Sequence, residues 1–292
     1  MKFIILTTSK LREKRIFEGE EIYKSAMKKG LEAYYIHPND LVYFISGNNI
    51  KIFYKNIDLS DTDIVFIRRV TGFESKVREA LIAFKKLKIL IVSNNQENPF
   101  PNQKIIQQLK KASLFPKSIY FTMEQKENIF EMIIEKIGFP FVLKPNNGVG
   151  GKFVHKIENK KDFLKYFKKN KYNEFIAQEV LDIESEYRVL VLGGKSLGAC
   201  EKISDKFIKN ACQGSEFIYK RIKKIEEIAE KYAKTFGSEF AGVDIVKTRE
   251  NKIKLLEINY CPGFMVFSKA SSIDVADKII DYCLKRYKNS KK

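Results

Sequence analysis

The residues best suited to chemistry stand near the end of the chain, in Ala241-Gly242-Val243-Asp244 and in Glu257-Ile258-Asn259-Tyr260-Cys261-Pro262-Gly263. Both acids interrupt apolar runs in a strongly basic chain, which scattered surface acids would not do. Between them, Ile245-Val246-Lys247 and Lys252-Ile253-Lys254-Leu255-Leu256 flank the polar cluster Thr248-Arg249-Glu250-Asn251. That is the pattern of strand, turn and strand. A hairpin folded about Glu250 and Asn251 sets Asp244 roughly opposite Glu257, and alternation along the strand puts Glu257 and Asn259 on one face. Two carboxylates and a carboxamide then converge on one spot. Such a donor set suits a hard cation, and Mg²⁺ is the natural occupant because it prefers oxygen and completes its shell with water and phosphate.

A second stretch is suited to phosphate. Phe141-Val142-Leu143-Lys144 runs into Pro145-Asn146-Asn147-Gly148-Val149-Gly150-Gly151-Lys152. Glycines let backbone N–H groups approach phosphate oxygens, and Lys144 and Lys152 supply charge. It is not a Walker loop, since GxxxxGK[ST] is absent and the loop returns to a strand where a helix would be required. Other chemistries have little to build on. With only His37 and His155, a His-rich zinc site or a Ser-His-Asp triad is disfavoured. Cys200, Cys212, Cys261 and Cys283 show no CxxC spacing and read as free thiols of a reducing compartment.

The elements that must position these residues can be read from periodicity. Over residues 1–97 strands and helices alternate: Phe3–Thr7, Glu32–Ile36, Ile64–Ile67 and Ile89–Val92 as strands, Ile50–Tyr54 as an edge strand, and Glu18–Lys29 and Phe73–Leu87 as helices. This is a parallel-sheet lobe, and it has no GxGxxG for a dinucleotide. The polar, Pro-containing run Asn95–Asn102 separates it from the rest of the chain. Gln103–Leu114 is expected as a short helix carrying Lys104. Helices are also expected over Glu127–Ile137, Asp162–Lys169, Ile222–Phe236 and Val275–Tyr287, with a hairpin turning at Gly193-Gly194. A length of 292 residues with 44% hydrophobic content allows two or three lobes around a buried core. No apolar run approaches the ~18 residues of a membrane span, and the N-terminus lacks the features of a signal peptide, so a cytoplasmic protein is expected. Lys and Arg number 54 against 36 Asp and Glu, a formal charge of +18 that is either a solvated lysine surface or an attraction for an acidic partner.

Taken in order, these pieces resemble the ATP-grasp superfamily and, within it, the glutamate-ligase-like (RimK-like) branch. The resemblance runs over nearly the whole chain. It includes Phe141–Lys144 with its glycine loop, Ile176-Ala177-Gln178-Glu179-Val180-Leu181, Tyr187-Arg188-Val189-Leu190-Val191-Leu192-Gly193-Gly194-Lys195, Phe207-Ile208-Lys209-Asn210, and the stretches around Asp244 and Glu257. It implies an α/β fold with α+β lobes: an ATP-grasp fold behind an N-terminal parallel-sheet pre-ATP-grasp domain. The expected boundaries are 1–97 for that domain, 98–177 for a central lid subdomain with the glycine loop, and 178–292 for a C-terminal subdomain with the metal site.

The resemblance also implies roles. Lys104 and Lys144 contact ATP phosphates beneath a lid containing Gly148, Gly150 and Gly151. Glu179 and Val180 hold the adenine, and Glu186 takes the ribose hydroxyls. Asp244, Glu257 and Asn259 hold Mg²⁺, with Glu257 bridging two ions and Mn²⁺ able to substitute. Arg188, Lys202, Lys209, Asn210 and Arg68 face the triphosphate, the reaction centre or the incoming substrate. The implied activity is ATP-dependent, ADP-forming ligation of a carboxylate to an amine through an acylphosphate, adding glutamate or another amino acid to an acceptor such as an acidic peptide or protein tail. The alternative is a basic nucleic-acid-binding protein on the same scaffold without ligase turnover. Two segments depart from the family's pattern: Asn210-Ala211-Cys212-Gln213-Gly214-Ser215, and the apolar Phe264-Met265-Val266-Phe267. Both are expected to border the acceptor pocket, so reaction type transfers better than substrate.

Overall fold

The computed structural model describes residues 1–8, 18–69, 73–92, 104–148, 151, 153–168, 170–204 and 216–292. The N-terminal lobe contains β1 (Lys2–Leu6), α1 (Glu18–Lys28), β2 (Glu32–Ile36), β3 (Leu41–Ser46), β4 (Asn49–Tyr54), β5 (Ile57–Asp58), β6 (Ile64–Ile67), α2 (Glu74–Lys86) and β7 (Leu90–Val92). Strands β2-β1-β6-β7 form the expected parallel sheet, in that order. β1 and β6 are apolar along nearly their whole length because both faces of the sheet are covered. α1 shows why a helix forms here: Glu18, Glu20 and Glu21 occupy its first turn, Lys28 its last, and Ile22, Ser25 and Ala26 its inner face. Ile50–Tyr54, expected as an edge strand, is instead the central strand β4 of a separate small antiparallel sheet, because β3 and β5 pair with it on either side.

The central part contains α3 (Lys104–Lys110), β8 (Ser118–Thr122), α4 (Ile129–Lys136), β9 (Phe141–Pro145), β10 (His155–Ile157), α5 (Lys160–Lys168) and β11 (Glu174–Glu179). The helix expected over Gln103–Leu114 is shorter, because Lys111 at φ −154° breaks it, and Ala112–Leu114 continue as a 3₁₀ turn. The antiparallel sheet β10-β9-β11-β8 is backed by an aromatic core in which Phe121, Phe130, Phe141, Phe163 and Phe175 are buried. The rings of Phe130 and Phe163 stand 5.0 Å apart.

The remainder contains β12 (Ile183–Leu192), β13 (Lys195–Ile203), β14 (Glu216–Lys220), α6 (Lys223–Thr235), β15 (Phe240–Thr248), β16 (Ile253–Asn259), α7 (Met265–Ser271) and α8 (Val275–Ser290). The sheet runs β14-β13-β12-β15-β16. α6 covers one face through Ile225, Ala229 and Ala233, packed on Val189, Val243 and Ile245. α8 returns to the N-terminal lobe, where Lys29 meets Asp277 at 2.9 Å and Asp281 at 2.7 Å. The apolar run Phe264–Phe267 caps and opens α7. Phe264 and Phe267 are 1% and 2% exposed, in the core shared by the two lobes, while Met265 and Val266 face outward. Helical spacing divides the run into an inner and an outer pair, where composition alone suggests one apolar surface.

Gly193 turns the β12–β13 hairpin at φ +58°, and a Cβ there would stand 2.3 Å from the Tyr282 ring. That ring is held by a hydrogen bond to Glu239 at 2.8 Å. Gly193→Ala is expected to cost about 1–3 kcal/mol, read as a lowered midpoint in thermal unfolding. An unchanged midpoint would show that the ring can move aside.

Candidate functional site

The hairpin of β15 and β16 folds as its pattern requires. Asn251 takes φ +60° at the turn, and Asp244 pairs directly with Glu257. The register shifts between Asp244 and Ile245: Ile245 pairs with Leu255, and Leu256 is the extra residue. Strict alternation would send Glu257 to the same side as Leu255, into the core under α6. The bulge turns it to the other face, and Leu255 and Ile258 stay in the core.

On that other face lies a set of charges. Arg188 on β12 is the cross-strand neighbour of Asp244 and grips it with two bonds, Nε to Oδ1 at 2.8 Å and Nη2 to Oδ2 at 2.6 Å. Lys202 on β13 reaches Asp244 Oδ1 at 3.1 Å and Glu186 Oε1 at 2.7 Å. Two cations and two anions thus balance in a nearly dry place, which a buried charge needs. Burial alone would push the Asp244 carboxyl up, but Arg188 and Lys202 together outweigh it and hold the carboxyl below the ordinary range. Burial likewise works against the Arg188 charge, and Asp244 reverses it, so the guanidinium stays protonated. Glu186, expected to meet the ribose, accepts a hydrogen bond from Lys202 Nζ at 2.7 Å.

The lysines arrive from the central part of the chain. Lys144, near the end of β9, is 8% exposed and donates to Gln178 Oε1 at 2.9 Å; Gln178 in turn donates to Ser118 Oγ at 2.9 Å. Burial, and then the neighbouring charge of Lys104, pull the Lys144 ammonium down to about 8, against an opposing pull from Glu257. Lys104 opens α3. Its Nζ donates to Gly148 O at 2.9 Å and lies 3.5 Å from Glu257 Oε2. The root of the glycine loop, Lys104 and the metal-type strand are therefore in direct contact.

The other expected residues are spread more widely. Glu179 accepts from Lys117 N at 2.8 Å, and Glu179 and Val180 line a cavity of about 440 Å³ with Ile137, Phe139 and Pro140. This cavity lies at the start of β9, roughly 10 Å along the strand from Lys144. Arg68 is buried, donates to Pro262 O at 2.8 Å, and stands 3.7 Å from Glu18 and 5.2 Å from the Phe264 ring centre. It braces the turn after Asn259 from the opposite lobe. Asn259 Oδ1 accepts from Cys261 N at 3.0 Å, which fixes its carboxamide. Gly151 takes φ +68°. Lys209, Asn210, Gly150, Lys152 and Cys212 lie outside the described residues. Both histidines have local roles: His37 Nδ1 accepts from Asn39 N at 3.2 Å, and His155 packs edge-on against Tyr166.

Sequence reasoning missed buried amides beside the site. Gln178 orients Lys144. Asn146 is fully buried, accepts from Ile105 N at 2.9 Å and donates to Glu174 Oε2 at 2.8 Å. The available signal was an amide inside or directly after an apolar strand, since buried amides are retained where they are bonded.

Among the described residues no three His, Cys, Asp or Glu side chains cluster for a metal. The candidate set remains two carboxylates and a carboxamide. Its chemistry fits Mg²⁺: all three donate oxygen, Glu257 and Asn259 are half-buried, and Asp244 is ionised although its oxygens are shared with Arg188 and Lys202.

The RimK-like ATP-grasp domain matches residues 101–283. The chain belongs to this family. The ATP-grasp fold expected from the motif order is borne out, and with it the class of ATP-dependent, ADP-forming C–N ligases. The chain is 26% identical to a probable alpha-L-glutamate ligase of Haemophilus influenzae, over 97% of each chain. It is also 26% identical to a tetrahydromethanopterin:alpha-L-glutamate ligase of Methanocaldococcus jannaschii, over 92% of this chain and 95% of that one. Solved structures share the fold. A Chryseobacterium gregarium RiPP-associated ATP-grasp ligase, in complex with ADP and a leader and core peptide, superposes with a TM-score of 0.72 at 14% identity over 98% of this chain and 97% of that one. D-alanine–D-alanine ligase from Bacillus anthracis, complexed with ATP, gives 0.70 at 17% identity over 99% and 98%. Other ligase neighbours hold Mg²⁺ with ADP, in line with ATP and Mg²⁺ as the cofactors of this RimK-like chain. Among the described residues no helix is long and apolar enough to cross a membrane.

Proposed function

We propose that this RimK-like protein joins an amino acid, glutamate foremost, to the carboxylate of an acidic acceptor through an acylphosphate. The observation that carries the reading is the direct contact of Lys104 with Glu257 on one side and Gly148 on the other, close to Lys144. It brings phosphate-binding cations, a lid and a carboxylate pair to one point. The terminal phosphoryl group of ATP passes to a carboxylate oxygen and ADP leaves. The amine attacks the acyl carbon, the C–O bond to phosphate breaks, and the amine loses a proton. Lys144 and Lys104 hold the phosphates, Arg188 and Lys202 offset charge at the reacting oxygens, and the hinge at Glu179 and Val180 takes the adenine. The glycine loop closes to keep water from the acylphosphate. Glu257, Asn259 and Asp244 would hold Mg²⁺, two ions in number, and Mn²⁺ would also suit an all-oxygen set. When bound, the metal neutralises charge on the β- and γ-phosphates.

The test is ADP release screened against amino acids paired with acidic peptides. Acceptor-dependent release with glutamate supports the reading, and ATP turnover indifferent to every acceptor would oppose it. The charge of +18 makes a separate prediction. The KM for an acidic acceptor should rise steeply between low and moderate salt while that for ATP changes less, since surface attraction is screened beyond ~8 Å and a closed site is not. A flat acceptor KM, together with tight salt-sensitive binding of random RNA or DNA in a gel shift, would favour nucleic acid as the partner.

A further inference from the structure

β16 is an edge strand, and the polar groups of an edge need partners. At Ile258 one side chain supplies both. Gln107 Oε1 accepts from Ile258 N at 2.9 Å, and Gln107 Nε2 donates to Ile258 O at 2.8 Å. This is the exchange that a residue of a neighbouring strand would make, performed by a carboxamide. Gln107 is 2% exposed, so neither bond competes with bulk water. Ile258 stands between Glu257 and Asn259. Gln107 belongs to α3, one helical turn beyond Lys104, whose Nζ lies 3.5 Å from Glu257. The first turn of α3 is also tied to the root of the glycine loop, with Lys104 N donating to Asn146 O at 3.2 Å and Ile105 N to Asn146 Oδ1 at 2.9 Å.

We infer that Gln107 is a positioning residue of the ligation site: by pairing with both backbone groups of Ile258 it fixes Glu257 and Asn259 relative to Lys104, making α3 a strut between lid and metal-type strand. The inference rests on the ligase reading above. Glutamine fits the task because it presents a donor and an acceptor side by side at the end of a side chain long enough to cross from helix to strand. Lysine contacts phosphate and carboxylate binds metal, so a slip of β16 against α3 would misplace one relative to the other. The loss should therefore fall on metal-assisted nucleotide binding more than on nucleotide binding alone.

The test is calorimetric titration of ADP with and without Mg²⁺, beside thermal unfolding. Gln107→Leu removes both bonds at similar volume. Gln107→Glu keeps shape and acceptor and removes the donor, so it remains informative if the leucine variant fails to fold. Both are expected to bind ADP without Mg²⁺ within about threefold of wild type, while the gain from Mg²⁺ shrinks by about 10–100-fold, the usual cost of losing an outer partner of a metal ligand. An unchanged Mg²⁺ gain in a folded variant overturns the inference. So does an equal loss with and without Mg²⁺, which would mark Gln107 as scaffold only. Wild-type protein that binds ADP with no help from Mg²⁺ would overturn the ligase reading itself, and the inference with it.

Discussion

Glu257→Ala should lose at least about nine-tenths of ADP release, and a tenfold loss corresponds to ~1.4 kcal/mol of transition-state stabilisation. The bulge at Leu256 brings this carboxylate to the site face, opposite Asp244. The substitution also frees Lys104 from a carboxylate 3.5 Å away, so nucleotide affinity without Mg²⁺ should hold or tighten. The expected signature is a fall in kcat with metal-free nucleotide affinity retained, since the lost interaction acts through the metal as the phosphoryl group moves. Steady-state ADP release with the acceptor found by screening, beside ADP titration without metal, measures both halves. A variant that keeps more than about a tenth of the wild-type rate would remove Glu257 from the metal site.

Lys144 should show the second large effect, in binding and in its pH dependence. Lys144→Met is expected to weaken ATP binding by roughly ten- to hundredfold, since a hydrogen bond to a charged group is worth about 1.5–3 kcal/mol. The ammonium is pulled down to about 8 by burial and by Lys104. Affinity of the wild-type protein should therefore fall as pH rises through about 8, because the neutral amine offers no charge to phosphate. Stability moves the other way. The ordinary value is 10.5, so between about 8 and 10.5 the unfolded chain holds more protons on this group than the folded one. In that window its contribution to stability grows with pH. Lys144→Arg, charged at every relevant pH, should flatten the affinity profile. Titration of ATP from pH 7 to 9 decides the matter, and a wild-type profile as flat as that of the arginine variant would show that Lys144 does not meet phosphate.

The sequence determined the elements and the chemical types. Periodicity placed β1, β2 and β6 and nearly all the long helices, because a strand or amphipathic helix writes its own period into the chain. It placed Asp244 opposite Glu257, because a short hairpin leaves few registers once its turn is known. Only the tertiary structure decided how the pieces meet. No local pattern announces that Leu256 is a bulge, that Arg188 and Lys202 share Asp244, or that Gln107 completes the edge of β16. The apolar run at Phe264 has the composition of a pocket wall and is half core, because burial depends on the lobe that packs against it. A residue type and its period are local quantities, whereas a hydrogen-bond partner 151 positions away is fixed by docking between elements.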